Sequence, residues 1–330
     1  MSAVERLERA WYQGAPWLCL LWPLEALFRL MTALRRWLYR RGVLARYRPA
    51  VPVVVVGNIT VGGTGKTPVV IALVEALQRA GLQPGVVSRG YGATAGHFPH
   101  RLDGQSTAAQ AGDEPLLIFQ RTAAACVVDP QRARAARELE GCGVDIIVSD
   151  DGLQHYGLDR DYEIAVLDAA RGSGNGHCLP AGPLREPVSR LQRVQYRLYR
   201  GSDDAATGVR YRADALISLC GTQRRLLSDF AGAERVQALA GIGQPAQFFA
   251  TLEAAGLSVQ AHSFPDHHAY SAADFAALPA GPIIMTEKDA VKCRPLLPAG
   301  RRADAWFLRI DAELPQALLE QVIALARRGH

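Results

Sequence analysis

The hydrophobic pattern of the chain changes period several times, and the changes mark out its elements. Residues 52–56 (PVVVV) and 144–149 (VDIIVS) are short branched apolar runs without polar alternation, as in strands covered on both faces. A glycine-rich turn follows the first run, and from Pro68 to residue 80 the apolar residues recur at helical spacing. Strand-like runs return at ALISL, VQALAG, PIIMT and AWFLR, all after residue 208. A small polar stretch at 201–208 (GSDDAATG) reads as a linker. The pattern predicts an α/β chain whose main sheet is doubly wound and mostly parallel. The expected organisation is an arm at 1–50, a core at 51–208 and a smaller α/β lobe at 209–330.

The arm has a different pattern. Residues 15–42 (APWLCLLWPLEALFRLMTALRRWLYRRG) mix tryptophans and leucines with Arg29, Arg35, Arg36, Arg40 and Arg41. A membrane-crossing helix needs about 20 apolar residues with few charges, and Pro23, Glu25 and Arg29 interrupt this run. A secretory leader places its basic residues before the apolar segment; here most of them follow it. An amphipathic helix lying in the headgroup layer fits the order better, with each basic residue near an anionic leaflet adding about 1 kcal/mol. A helix packed on its own domain is the other reading.

Charge supports this division. The net charge of the 330 residues is +5, yet residues 1–50 hold nine arginines against three glutamates. The remaining chain is close to neutral, so the basic character belongs to the arm and not to a nucleic-acid groove. Six scattered cysteines with no C-x-x-C spacing suggest neither a disulfide framework nor a zinc site.

The first strand and turn, VVVVGNITVGGTGKTP at 53–68, hold most of a phosphate-binding loop. Gly62, Gly63 and Gly65 let the backbone aim several N–H groups at one anion, and the following helix N-terminus adds partial positive charge. Lys66 would reach the β- and γ-phosphates and the Thr67 hydroxyl would bind Mg²⁺. Thr60 stands where the first glycine of the pattern is usual, while Asn58 and Thr64 add polar contacts. The second buried run ends in Asp150-Asp151-Gly152, acids at the carboxyl end of a parallel strand, where such sheets bind ligands. Asp113 and Glu114 precede Pro115 and an apolar helical run. They are either first-turn acids of a helix or a base and a metal acid. Asp266, His267 and His268 share a loop in which an imidazole could be tuned toward neutral pH.

Several classes of nucleotide protein could carry such a loop. A guanine-nucleotide switch needs N-K-x-D, and the nearest match, TEKD at 286–289, has the wrong spacing. A membrane-positioning ATPase would suit the arm, but it places a signature lysine where this chain has Val61. A kinase acting on a small or lipidic acceptor remains. GN-x-TVGGTGKTP, SRGYG at 88–92, GDEP at 112–115, DDG-x-QH at 150–155, LPAGPLREP at 179–187, the DHH loop and TEKDAVK at 286–292 together resemble the tetraacyldisaccharide 4'-kinase family. The resemblance runs in the family's order, includes the arm, and accounts for Thr60 as a family variant.

The resemblance implies a P-loop NTPase-like core, ATP and Mg²⁺, and a lipid A disaccharide 1-phosphate as acceptor. It also implies a peripheral position at the cytoplasmic face of the inner membrane, on anionic lipid, with no nucleic acid and no obligate protein partner. Thr60, Val61, Gly62, Gly63, Thr64, Gly65, Lys66 and Thr67 would bind ATP, with Asn58 and Glu186 beside them. Asp113 is the implied base, assisted by His267, with His268 left open. Thr67, Glu114, Asp150 and Asp151 are implied for the metal, the directly bound acid being open. Gln154, His155, Arg171 and Arg185 are implied for the substrate. The reading puts Asp113 and His267 on opposite lobes, so that closure would assemble the base.

Overall fold

A computed structural model describes residues 3–328 apart from 222, 231, 233, 234 and 298. The chain forms two compact units, each assembled from separate stretches of sequence. The first comprises Met1–Arg89, Ala124–Arg210 and Leu314–His330; the second comprises Gly90–Ala123 and Tyr211–Glu313.

The first unit is built on a parallel sheet. Its strands lie in the order Tyr196–Arg200, Tyr162–Asp168, Val53–Gly57, Ile146–Asp150, Pro84–Ser88 and Ala125–Val128. Both branched runs are therefore strands, and every residue of Val53–Gly57 and Ile146–Asp150 is buried. Val54 and Val56 are fully enclosed, and burial of each contributes about 1.5–3 kcal/mol. From Val53–Gly57 the chain moves outward to two strands on one side. It then returns to insert Ile146–Asp150 before crossing to the other side. This reversal opens a crevice at the carboxyl ends of the two central strands, and the register sets Asp150 beside Val56.

The arm is a helix, Trp22–Arg40, preceded by a 3₁₀ turn, Pro16–Leu21. The 25 residues Pro16–Arg40 are long and apolar enough to cross a bilayer by length and composition, an 18-residue stretch within them having a mean hydropathy of 1.4. Two of its polar residues, Glu25 and Arg36, nevertheless face the first unit, while Arg29, Arg35 and Arg40 are exposed. Glu25 is buried, accepts the Cys178 backbone N–H at 2.9 Å and meets His177 Nδ1 at 2.7 Å. Arg36 donates to Glu186 at 3.3 Å, and Trp22 stacks on His177. The leucines and tryptophans point the other way: Leu24, Leu27, Leu30, Met31, Leu34 and Trp37 are all at least half exposed. The amphipathicity is thus inverted relative to a helix of a soluble protein, with polar anchors inside and an apolar face outside.

In the second unit, the strands Val259–Ser263, Val236–Ala240, Ile283–Thr286 and Ala305–Glu313 form a parallel sheet, which Gly208–Ser218 joins next to Ala305–Glu313. The four strand-like runs after residue 208 are all strands. Two core clusters, one around Phe230 and Trp306 and one around Tyr270 and Phe275, fill it.

The division differs from the linear one read from the sequence. Residues 90–123, expected in the core, belong to the second unit, and the helix Gln316–Arg328, expected in the lobe, belongs to the first. The reason is physical: an excursion between two neighbouring strands has the same local period as an ordinary crossover helix. One consequence is a correction. Asp113 and His267 lie in the same unit, so no closure is needed to bring them together.

Candidate active site

The loop after Val53–Gly57 turns into the helix Lys66–Arg79 through Gly65, which is left-handed at φ +78°; Gly62 is also left-handed, at φ +97°. Side chains rarely adopt these conformations, so glycine is required there. Thr60 has no such φ, and its Cβ is therefore tolerated where a glycine is usual. Its hydroxyl receives the Asn58 amide at 3.4 Å, and Thr64 receives the same amide at 3.2 Å. Asn58 is wholly buried and ties the loop from below. Val61 donates its N–H to Pro183, and Ile59 accepts from the Arg185 N–H, so the 179–187 segment braces the loop along its length.

Lys66 extends to Asp151, with Nζ 3.5 Å from Oδ1. Arg185 takes the other carboxylate oxygen at 3.0 Å. Burial alone would raise the Asp151 pKa, but Lys66 and Arg185 outweigh it and hold the carboxyl at about 2. Asp150 is almost fully buried, and its backbone carbonyl, with that of Asp151, accepts from Arg132. Arg132 is itself buried, which brings its guanidinium down to about 10. Nothing in the sequence singles out Arg132, because it sits in an arginine-rich helix of ordinary spacing.

The other implied site residues of this unit divide into two groups. Gln154 donates to the Asn58 carbonyl and to Glu186, each at 3.0 Å, so it links loop and brace. Glu186 is buried and engaged by Arg36, Gln154, Tyr156 and Arg190. It sits inside that network as a support for the brace and the arm. Burial, followed by the charges of Arg132 and Arg160, pushes His155 down to about 3, so its imidazole is neutral at physiological pH. Arg171 is paired with Glu8 at 3.2 Å and covers the Tyr12 ring, which places it against the first helix, Ala3–Gln13.

The second unit holds a separate cluster. Asp113 begins the helix Asp113–Thr122, whose N-cap is Gly112, and no side chain caps it. The Asp113 carboxylate is buried and lies 3.2 Å from both His267 Nδ1 and Lys292 Nζ. Burial raises its pKa; His267, Lys292 and Lys288 more than offset this, so the net shift is downward. Lys288 meets Glu114 at 3.2 Å, Asp266 at 3.4 Å and His267 Nε2 at 3.5 Å. Nδ1 of the imidazole thus faces the Asp113 carboxylate, while Nε2 faces the Lys288 ammonium and, at 3.9 Å, the Asp266 carboxylate. His267 is itself left-handed at φ +59°. His268 points elsewhere, stacked on Phe264 and 3.5 Å from Asp274. Of the two histidines left open by the sequence, it is His267 whose ring meets Asp113. Glu114, implied for the metal, has Lys288 on its carboxylate.

Lys288 and Lys292 were not singled out from the sequence as site residues. Their signal was the four-residue spacing inside TEKDAVK, which puts both on one face of the helix Glu287–Cys293.

Comparison with known proteins gives the family of the chain. The family model described as tetraacyldisaccharide-1-P 4'-kinase matches residues 17–327. The tetraacyldisaccharide 4'-kinase of Azotobacter vinelandii is 52% identical over 316 residues, covering 94% of each chain. That of Pseudomonas aeruginosa is 50% identical over the same length, with the same coverage. Among solved structures, LpxK from Aquifex aeolicus in complex with ATP superimposes with a TM-score of 0.77. It is 26% identical, and the match covers 94% of this chain and 99% of that one.

Proposed function

Because the chain belongs to the tetraacyldisaccharide-1-P 4'-kinase family, we propose that it transfers the γ-phosphoryl group of ATP to the 4'-hydroxyl of a lipid A disaccharide 1-phosphate. The observation that carries this reading is the hydrogen-bonded Asp113–His267 pair in a chain that also holds a phosphate loop. A membrane-positioning ATPase needs the loop but has no use for a base directed at an acceptor hydroxyl.

Each group has a defined task. The N–H groups of residues 60–67 and the Lys66 ammonium hold the ATP phosphates and stabilise the charge that develops during transfer. Lys66 exchanges Asp151 for phosphate oxygen when ATP enters. The donor set suits Mg²⁺: Thr67 offers a hydroxyl, and Asp150 and Asp151 offer hard anionic oxygens, Asp151 staying ionised down to about pH 2. When bound, the ion would neutralise charge on the transferring phosphate. Asp113, ionised at neutral pH, accepts the proton of the 4'-hydroxyl as that oxygen forms its bond to phosphorus and the bond to ADP breaks. His267 orients the carboxylate and shares the proton. Arg185, Arg171, Gln154 and His155 position the sugar and phosphate groups of the acceptor.

The acceptor carries acyl chains and stays in the bilayer, so the enzyme must come to the membrane. The outward apolar face of Trp22–Arg40 supports a peripheral position on the cytoplasmic leaflet, the arginines meeting anionic headgroups. The deciding experiment is a transfer assay with γ-labelled ATP and a defined lipid A disaccharide precursor, beside free glucosamine and a no-acceptor control. Label in the lipid alone supports the reading; ATP hydrolysis with no labelled lipid overturns it.

A further inference from the structure

We infer that Lys292 is a positioning residue for phosphoryl transfer, fixing the Asp113 carboxylate through a buried chain of charges anchored at Asp289. The inference rests on Asp113 being the base.

Lys292 is 9% exposed at its side chain, and its Nζ lies 3.2 Å from Asp113 Oδ2 and 3.2 Å from Asp289 Oδ1. A buried ammonium between two carboxylates is costly unless its geometry is fixed by both. Here the far end is fixed: Asp289 is wholly buried, and its Oδ2 accepts the Gly241 N–H at 2.9 Å and the Thr286 hydroxyl at 2.6 Å. The close approach of Gly241 depends on its missing side chain, since a Cβ there would meet the Tyr270 hydroxyl at 2.8 Å and Asp289 Oδ1 at 3.0 Å. The Tyr270 ring lies 5.2 Å from the ammonium, closing one side. Asp289 is therefore immobile, Lys292 is held by it, and Asp113 is held by Lys292.

The division of labour with the neighbouring lysine follows from contacts. Lys288, one turn earlier, reaches Glu114, Asp266 and His267, whereas the ion pair to the Asp113 carboxylate comes from Lys292. Lys292 and His267 both address the same oxygen, Oδ2. That leaves Oδ1 to face a hydroxyl, with its direction set by two contacts on the opposite oxygen. An aspartate held by His267 alone could swing about that single contact. A misplacement of about 1 Å in a reacting group can cost on the order of 10²-fold in rate, and this is the loss assigned to Lys292.

The test is steady-state kinetics of the full chain in lipid–detergent micelles, with melting temperature measured for each variant. Lys292→Met should lower kcat about 10²-fold while KM for ATP and for the lipid stays within about threefold. Lys292→Arg should recover at least a tenth of the lost rate by restoring the charge. Asp289→Asn, which loosens the anchor and leaves the lysine in place, should lower kcat about tenfold with KM unchanged, and it reads the same chain if Lys292→Met does not fold. A folded Lys292→Met with near-normal kcat, a loss carried by KM alone, or an arginine variant as slow as the methionine one overturns the inference. Asp113→Asn, run alongside, separates the two levels. If it is inactive while Lys292→Met is not, only the lysine's role falls; if it keeps its turnover, the base assignment falls and takes the lysine with it.

Discussion

Lys66 and Asp151 form an ion pair of 3.5 Å across the crevice of the first unit, so the loop lysine already has an anionic partner before any phosphate arrives. Lys66→Ala should lose about 10²–10³-fold in kcat, the scale for removing one charged contact to the transferring group. Arg185 still pairs with Asp151 when the lysine is gone, so the melting temperature should fall by only a few degrees. Activity and thermal melts together check this; a large loss of stability would mean that the lysine serves the fold.

Asp113 and His267 should behave as one unit. Either alanine substitution is expected to lower turnover by about 10²–10⁴-fold, and the double variant should resemble the worse single one. A double-mutant cycle on kcat is the measurement, and strictly multiplicative losses would exclude a dyad.

His155 should make the protein acid-sensitive. Its folded pKa is depressed to about 3, against an ordinary value near 6.5. Above pH 6.5 both folded and unfolded states carry it neutral and its effect is nil. As pH falls from 6.5 toward 3, the unfolded chain binds a proton that the folded chain refuses, and stability drops by up to about 1.4 kcal/mol per pH unit. His155→Gln should flatten this slope. Urea titrations at pH 7 and pH 5 on both proteins test it, and equal slopes would contradict the assignment.

The outward face of the arm can be tested without touching its anchors. Leu30→Glu with Leu34→Glu should reduce pelleting with anionic vesicles at least tenfold, since each leucine buried in lipid contributes about 1.5–3 kcal/mol. Both leucines are exposed, so the melting temperature should hardly change. Undiminished vesicle binding would move the membrane contact elsewhere.

Much of the first unit was legible because its signals are local. A branched run predicts a buried strand, and left-handed glycines after it predict a phosphate loop; Gly62, Gly65 and the pair at Asp150 and Asp151 follow this logic. Neutral counts of charge also pointed correctly to the arm as the basic segment. What escaped the sequence depends on distance along the chain. Arg132 reaches back to the carbonyls of Asp150 and Asp151 from a helix with no distinctive pattern. Lys292 meets Asp113 across 179 positions, and no periodicity encodes that pairing. Glu25 reads as an interruption of an apolar run, whereas its partners, His177 and the Cys178 N–H, make it the anchor that turns the apolar face outward.

The split ancestry of both units bears on how the chain is made. The phosphate-loop unit begins ahead of the second unit in the chain, but its helix Gln316–Arg328 is synthesised only after 211–313. Leu318, Val322 and Ala326 of that helix are fully enclosed, and Tyr162 donates its hydroxyl to Gln321. A nascent chain therefore carries an unfinished phosphate-loop unit while the whole of 211–313 is being translated. Throughout that interval, its apolar arm is already outside. Emerging domains ordinarily fold in turn from the N-terminus; here the first to begin is among the last to close, and a chain cut short near its end is left with an open core beside a greasy helix.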